Sequence, residues 1–171
     1  SAFQNLLTKL KNTYPNNIDD WLDQEIQVVV KTGDRKALFA KYDQLISENP
    51  SRFVLPYNYA VELYNSLYGK DAAAIIDPVV SAKLTDIIKI AIANEEKSDD
   101  NIPATLLMTN HLYYFSGDLL NKSNAIKSTK PEDVKKKSEL KASAYKNIDD
   151  CIYYCKKAVS YFQLNSPEGV S

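Results

Sequence analysis

Few residues of this 171-residue chain are of the types that carry out catalysis or bind metals. His111 is the only histidine, which excludes metal sites built from two or three histidines. A Cys–His or Ser–His pair would have to use His111, and the residues around it form neither a nucleophile elbow nor an oxyanion pattern. We therefore predict that the chain is not an enzyme. An enzyme that uses His111 stays open as the third of three alternatives.

The cysteines and the paired carboxylates have simpler explanations than chemistry. Cys151 and Cys155 stand four residues apart, and adjacent turns of one helix rarely give disulfide geometry. No second pair completes a metal site, so we interpret both as small core residues and predict neither a metal nor a cofactor. We interpret the adjacent carboxylates as caps, loops and solvated faces. They are Asp19-Asp20, Asp99-Asp100 and Asp149-Asp150.

Composition and charge indicate an ordinary folded protein. Hydrophobic residues make up 44% and charged residues 25%, and only 4 glycines and 7 prolines argue against a many-turned β-sandwich. The formal net charge of −1 predicts no nucleic-acid partner. Residues 122–171 carry 10 Lys/Arg and 6 Asp/Glu, which we interpret as a solvated basic helix. No apolar run approaches the roughly 20 residues of a membrane span, so we predict no membrane insertion.

The compartment stays open at this point. The cysteine count and the lack of a signal peptide are compatible with either side of a bacterial membrane, cytoplasmic or periplasmic. Because the sequence does not start with Met, we expect a segment of a larger protein.

Apolar residues recur at helical spacing along almost the whole chain, which predicts an all-α fold of about seven helices. The first predicted helix ends near Tyr14. The others cover 19–31, 35–48, 53–68, 78–97, 103–116 and 131–164. A short connector is predicted over 71–77, polar loops over 98–101 and 121–130, a turn at Gly117-Asp118 and a frayed tail from Asn165.

An internal period of about 34 residues fits the window 19–52. Leu22 falls at the large apolar position of the first helix, and Gly33 at the turn between the helices. The second helix and its closing proline contribute Leu38, Tyr42, Leu45 and Pro50. This window resembles a tetratricopeptide repeat (TPR). Residues 1–18 match part of a preceding unit, and 53–102 and 103–164 match units with insertions. The competing interpretation is an unrelated helical bundle.

The resemblance implies one TPR-like domain, in which antiparallel helix pairs stack as a short right-handed solenoid with a long C-terminal helix. It also implies a concave groove lined by the first helix of each pair, where such proteins bind peptides or protein segments. Carried over by register, the candidate groove residues are Asp20, Asp23, Gln27 and Lys31, then Tyr57, Tyr64 and Asn65, then Leu107, His111 and Tyr114.

These residues differ from the Lys, Asn and Arg set with which one subtype grips a C-terminal carboxylate. Acidic side chains in the first unit and aromatic ones in the others suit a basic or apolar peptide. The chain has 12 tyrosines, which are enriched where one end of a side chain is apolar and the other wet. We therefore predict a non-catalytic scaffold that binds a protein or peptide. The alternative is a helical ligand- or glycan-binding component of a bacterial uptake or cell-envelope system.

Overall fold

The computed structural model describes residues 2–70, 72, 75–96 and 102–165 of the chain. Within these residues the regular structure is entirely helical, which confirms the predicted all-α class and the number of helices. The seven helices are α1 (Ala2–Thr13), α2 (Ile18–Val30), α3 (Arg35–Glu48), α4 (Val54–Tyr68), α5 (Pro78–Glu95), α6 (Pro103–Ala125) and α7 (Pro131–Asn165). A single 3-10 turn, Pro15–Asn17, stands between α1 and α2.

The chain divides into two compact units, Ser1–Tyr59 and Ala60–Ser171, and the boundary falls inside α4. In the first unit α2 packs against α3 across a short turn. Gly33 in that turn has a φ of 69°, in the left-handed region that favours glycine. Asp34 then caps α3, because its side chain accepts a 3.0 Å hydrogen bond from the backbone N–H of Ala37.

Apolar side chains from α1, α2, α3 and the start of α4 form the core of the first unit. The ring of Tyr42 stacks on that of Tyr59 with their centroids 5.0 Å apart, and Phe39 packs at a tilt on the same ring. The buried side chains are Leu7, Leu22, Ile26, Leu38, Tyr42, Leu45, Leu55 and Tyr59. The positions that the repeat register assigned to packing on α2 and α3 are therefore inside this core.

Two partly buried ion pairs, which share Glu25, join three helices of the first unit. Glu25 on α2 pairs with Lys11 on α1 and, at 2.7 Å, with Lys41 on α3. Burial raises the pKa of Glu25, but the hydrogen bonds and charges of the two lysines outweigh it and hold that pKa below its ordinary value.

The second unit is built on a long hairpin of α6 and α7, with α5 packed against α6. Ile102, at the cap position of α6, provides no side-chain cap. The buried carboxylate of Glu95, at the end of α5, takes that role: it accepts hydrogen bonds from the N–H groups of Ala104 (3.0 Å) and Thr105 (3.3 Å). The Thr105 hydroxyl donates a third, at 3.0 Å. The end of α5 thus fixes the start of α6.

The predicted turn at Gly117-Asp118 is wrong, because α6 continues through both residues to Ala125. The predicted loop over 121–130 is therefore wrong for residues 121–125. A glycine inside a helix costs only about 1 kcal/mol, which burial of the following turns outweighs. Leu119 and Ser123 are buried, and Asp118 pairs with Lys122 one turn later at 2.7 Å.

Helix α5 ends at Glu95, two residues earlier than predicted. Cys151 is half-buried but Cys155 is exposed, so the interpretation of both as core residues is wrong for Cys155. Parts of the predicted 71–77 connector, the 98–101 loop and the tail after residue 165 lie outside the described residues. No helix within the described ranges has the length and apolarity that crossing a membrane requires.

Candidate binding cleft

An open cleft of about 500 Å³ lies in the second unit, where side chains of α4, α6 and α7 meet. Apolar walls come from Leu67, Ile76 and Ile148. The polar and aromatic lining includes Tyr68, Tyr113, Tyr114, Asp118 and Asn121. A volume of this size lies within the range of small-molecule and side-chain pockets.

Three tyrosines, Tyr68, Tyr113 and Tyr114, line the cleft. The Tyr68 ring lies 4.8 Å from that of Tyr64 and 5.5 Å from that of Tyr114, centroid to centroid. Tyr113 meets Tyr114 edge-on at 5.5 Å. Tyr113 and Tyr114 are 69% and 51% exposed, so their ring faces are available to a ligand while Tyr68 forms the partly buried floor.

His111 supports that floor from inside the protein. Its Nδ1 lies 3.0 Å from the hydroxyl of Tyr68, and its Nε2 lies 2.9 Å from the hydroxyl of Thr85. The Thr85 hydroxyl donates to the carbonyl of Ser81 at 3.1 Å, so its oxygen can accept from an Nε2–H. In that tautomer Nδ1 accepts a hydrogen bond from the hydroxyl of Tyr68. The oxygen lone pairs of Tyr68 then remain to accept a hydrogen bond from a molecule in the cleft.

Burial sets the protonation of this network. Desolvation lowers the pKa of His111 to about 4, against a smaller opposing contribution from its hydrogen bond to the Ser81 carbonyl. Burial also raises the pKa of Tyr68, and the nearby Tyr64 and Asp118 raise it further. At neutral pH both groups are therefore uncharged, and the chain of hydrogen bonds from Tyr68 to Thr85 is neutral throughout.

A second cleft, of about 420 Å³, lies on the other side of this network among α5, α6 and α7. Thr85 lines it, together with Lys89, Phe115, Lys146 and Tyr154. The imidazole of His111 stacks on Phe115 with centroids 5.8 Å apart. His111 thus lies between two clefts and is connected to one through Tyr68 and to the other through Thr85.

The structure brings together three of the candidate residues, Tyr64, His111 and Tyr114, around Tyr68. His111 is fully buried, so it reaches the cleft only through the hydroxyl of Tyr68. Tyr64 contacts the Tyr68 ring but does not line the cleft. Asn65 is exposed on α4 and Leu107 is half-buried on α6, and neither lines it.

Of the candidates in the first unit, four are exposed and one is half-buried. Asp20, Asp23, Gln27 and Lys31 are all exposed along α2. Asp23 lines only a depression of about 30 Å³. Tyr57 is half-buried and its ring stacks on Phe53 at 5.4 Å.

The prediction from sequence did not include Tyr68, Tyr113 or Asp118. Tyr68 stands one helical turn after Tyr64, so the same-face spacing of four residues was a usable signal. Asp118 could not be placed, because the expected turn at Gly117 removed it from the helix. Ile148 comes from α7, and only tertiary packing brings it to the cleft.

Among the described residues, no group of three or more His, Cys, Asp or Glu side chains is arranged to hold a metal ion. Comparison of the chain with protein-family models, with curated proteins and with solved structures finds no match.

Proposed function

We propose that this chain is a non-catalytic binding protein that takes a segment of a protein or peptide partner in the tyrosine-lined cleft. The observation that carries the proposal is the pair Tyr113 and Tyr114, whose rings are exposed beside a cleft of about 500 Å³. Aromatic side chains of this kind are enriched in protein interfaces and dominate their binding energy.

The first unit supports a divergent tetratricopeptide-like scaffold. Its α2–α3 pair buries Leu22, Leu38, Tyr42 and Leu45, the residues that the repeat register assigns to packing. Gly33 in the turn adopts the left-handed conformation that explains a glycine there. The second unit differs in length, since α6 and α7 have 23 and 35 residues. In this proposal the repeat has been elaborated there into a capping hairpin that carries the cleft.

The pair of Thr85 and His111 is the arrangement that most resembles catalytic machinery, and two features argue against that role. With its pKa lowered to about 4, His111 is a weak base for a threonine hydroxyl at neutral pH. Thr85 also lies in the interior of α5, where the backbone N–H groups are used within the helix and provide no oxyanion hole. The network is better explained as support for Tyr68.

The chemistry of the cleft favours an apolar or aromatic side chain with a hydrogen-bond donor. Leu67, Ile76 and Ile148 contribute apolar surface, and the hydroxyl oxygen of Tyr68 can accept a hydrogen bond. The charge of Asp118 is balanced by Lys122 at 2.7 Å, so the cleft does not require a cationic ligand. A tyrosine or tryptophan of a partner segment meets these conditions.

A glycan is the second candidate, favoured by the same lining. The face of Tyr113 is available for stacking, and Asp118 and Asn121 place polar side chains beside it. This combination of aromatic ring and polar side chain suits a sugar. In this alternative the chain would be a ligand-binding component of a bacterial uptake or cell-envelope system.

Peptide display followed by calorimetry tests the proposal. Peptides selected on the intact chain from a random library are titrated into the wild type and into Tyr113→Ala/Tyr114→Ala. We expect the double variant to lose at least tenfold in affinity. Tyr153→Ala, which removes an exposed tyrosine of α7 away from the cleft, is the matched control and should change affinity less than twofold. Failure to select any peptide, or equal affinity for both variants, would overturn it. A response to an oligosaccharide panel that Tyr113→Ala abolishes would support the glycan instead.

A further inference from the structure

The second cleft, which lies among α5, α6 and α7, has an apolar floor. This floor is one face of α6, on which four apolar side chains follow one another at three- or four-residue spacing. They are Met108, Leu112, Phe115 and Leu119, and we refer to them as the α6 floor. Phe115 is half-buried and the other three are buried. A cleft of about 420 Å³ above such a floor is within the size range of small-molecule sites.

The rim of the second cleft is polar and comes from α5 and α7. Its side chains include Thr85 and Lys89 on α5, and Ser143, Lys146, Asn147 and Asp150 on α7. The hydroxyl of Thr85 is already used, because it donates to the Ser81 carbonyl and lies 2.9 Å from Nε2 of His111. The other rim side chains are exposed, except Asn147, which is half-buried. A ligand on the α6 floor therefore meets Lys89 and the polar groups of α7 at its edge.

Three hydrogen-bond donors of the rim share one face of α7. Ser143 precedes Lys146 and Asn147 by three and four residues, so the three side chains lie within one turn. They provide a hydroxyl, an ammonium and an amide NH₂ group, and we refer to them as the α7 donors. Within the part of the chain that the structure describes, none of these side chains forms a hydrogen bond or an ion pair. The α7 donors can therefore bind an acceptor without breaking a contact inside the protein.

The charged side chains of the rim favour an anion. Lys89 and Lys146 carry two positive charges against the single negative charge of Asp150. Lys89 lies 3.9 Å from Asp86, but both side chains are more than half exposed, so this pair is weak. Burial raises the pKa of Tyr154, and the nearby charge of Asp150 raises it further. Along α7 the negative charge thus follows the α7 donors, on the side of Tyr154.

We propose that the second cleft binds an organic carboxylate with an apolar body, of which an acyl carboxylate is the simplest form. The apolar body covers the α6 floor, and the carboxylate lies at the α7 donors. Lys146 provides the charge there, and Ser143 and Asn147 provide neutral donors. A cation would meet the excess positive charge of the rim, and a neutral molecule would leave the lysines without an opposite charge. This site is separate from the tyrosine-lined cleft and does not depend on its proposed function.

The extent of the rim limits the size of the ligand. From Ser143 to Tyr154 the lining follows α7 for about 16 Å at 1.5 Å per residue, which suits a molecule of low molecular mass. Because the lysines are exposed, their attraction is screened by water and salt. We therefore expect a dissociation constant on the order of 100 μM to 1 mM for a simple acyl carboxylate.

Calorimetry with octanoate and with its neutral isostere octanamide tests the site on the intact chain. Octanoate should bind saturably, and octanamide should bind about fivefold more weakly because it lacks the charge. Lys146→Gln should lower the affinity for octanoate about fivefold and change that for octanamide by less than about twofold. Lys89→Gln/Lys146→Gln should remove the preference for the anion. Lys156→Gln, at an exposed α7 position that does not line the cleft, is the matched control and should bind both molecules as the wild type does.

Two further variants locate the bound molecule. Ser143→Phe adds a ring at the rim and should abolish binding of octanoate and octanamide, with an unchanged helical circular dichroism spectrum because residue 143 is exposed. Tyr113→Ala/Tyr114→Ala removes two rings of the tyrosine-lined cleft and should bind octanoate as the wild type does. The proposal would be overturned by a lack of saturable octanoate binding, by equal wild-type affinity for the two molecules, by undiminished binding to Ser143→Phe, or by loss of binding in the tyrosine variant.

Discussion

At the scale of single residues, His111 is a buried titratable group that contacts the proposed binding surface only through the hydroxyl of Tyr68. Its two ring nitrogens connect the hydroxyls of Tyr68 and Thr85, and it is fully buried. We propose that its role is to hold the Tyr68 hydroxyl in place beside the cleft. The same arrangement makes the fold sensitive to acid.

The stability of the fold should fall as the pH drops from about 6.5 toward 4. The folded pKa of His111, about 4, lies below its ordinary value of 6.5, so the unfolded chain binds the extra proton first in this window. The contribution of neutral His111 is complete above pH 6.5 and is lost on approach to pH 4. It amounts to about 3 kcal/mol. Urea unfolding of the wild type and of His111→Gln across this range measures it. Glutamine does not titrate, so its curve should be flatter by that amount, and parallel curves would refute the assignment.

The cap that Glu95 provides to α6 is a second contribution of one residue. Burial raises the pKa of this carboxyl, while the hydrogen bonds from Ala104 and Thr105 lower it, burial being the larger effect. Glu95→Ala leaves the first N–H groups of α6 without an acceptor and should lower the free energy of unfolding by about 2 kcal/mol. Glu95→Gln keeps one acceptor oxygen and should lose less than half of that. The comparison by urea denaturation fails if alanine and glutamine cost the same.

At the scale of the helices, sequence signals were reliable where they agreed with one another. Gly33 and Asp34 set the α2–α3 turn because one needs the left-handed conformation and the other provides a cap. Asp77 and Pro78 likewise start α5, as predicted, since the Asp77 side chain accepts from the N–H groups of Val79 and Val80. The starts of α3 and α5 both depend on local backbone chemistry, which can be predicted from the residue types.

The same signals misled where tertiary burial outweighed them. Gly117-Asp118 has the composition of a turn, but Leu119 and Ser123 beyond it are buried, and α6 continues. The prediction of the cleft residues was limited in the same way. Tyr64 and Tyr114 were expected at a binding surface, whereas Asp118 lines the cleft through the extension of α6 and Ile148 through the α6–α7 hairpin, both of which tertiary packing decides.

Alanine substitutions at Gly117 and Gly33 test whether the chain is helical at the first position and turns at the second. A Cβ at residue 117 would meet no atom within 4 Å, so Gly117→Ala should stabilise α6 by about 1 kcal/mol. Gly33 also has open space, but its φ of 69° is strained for an L side chain. Gly33→Ala should therefore destabilise the protein, by about 1 kcal/mol. Thermal and urea unfolding of both variants gives the signs. A destabilised Gly117→Ala would mean that the chain turns at residue 117.

At the scale of the whole molecule, the features that suggest function belong to the second compact unit. The cleft and the His111 network both lie within Ala60–Ser171. The first unit, Ser1–Tyr59, carries the clearest match to the repeat register. The resemblance to tetratricopeptide repeats thus rests on one part of the chain, while the proposed binding surface rests on another. The packing positions that the register assigned on α2 and α3 are buried, and of its candidate groove residues in the second unit only Tyr114 lines the cleft.

Chemical-shift mapping with a display-selected peptide tests the proposed binding surface most directly. As peptide is added to the isotopically labelled chain, the backbone amide signals of Tyr68, Tyr114, Asp118, Asn121 and Ile148 should shift together and saturate with one affinity. The signals of Asp20, Asp23, Gln27 and Lys31 on α2 should stay in place. Shifts confined to α2, with the cleft residues unmoved, would contradict a peptide site at the tyrosine-lined cleft.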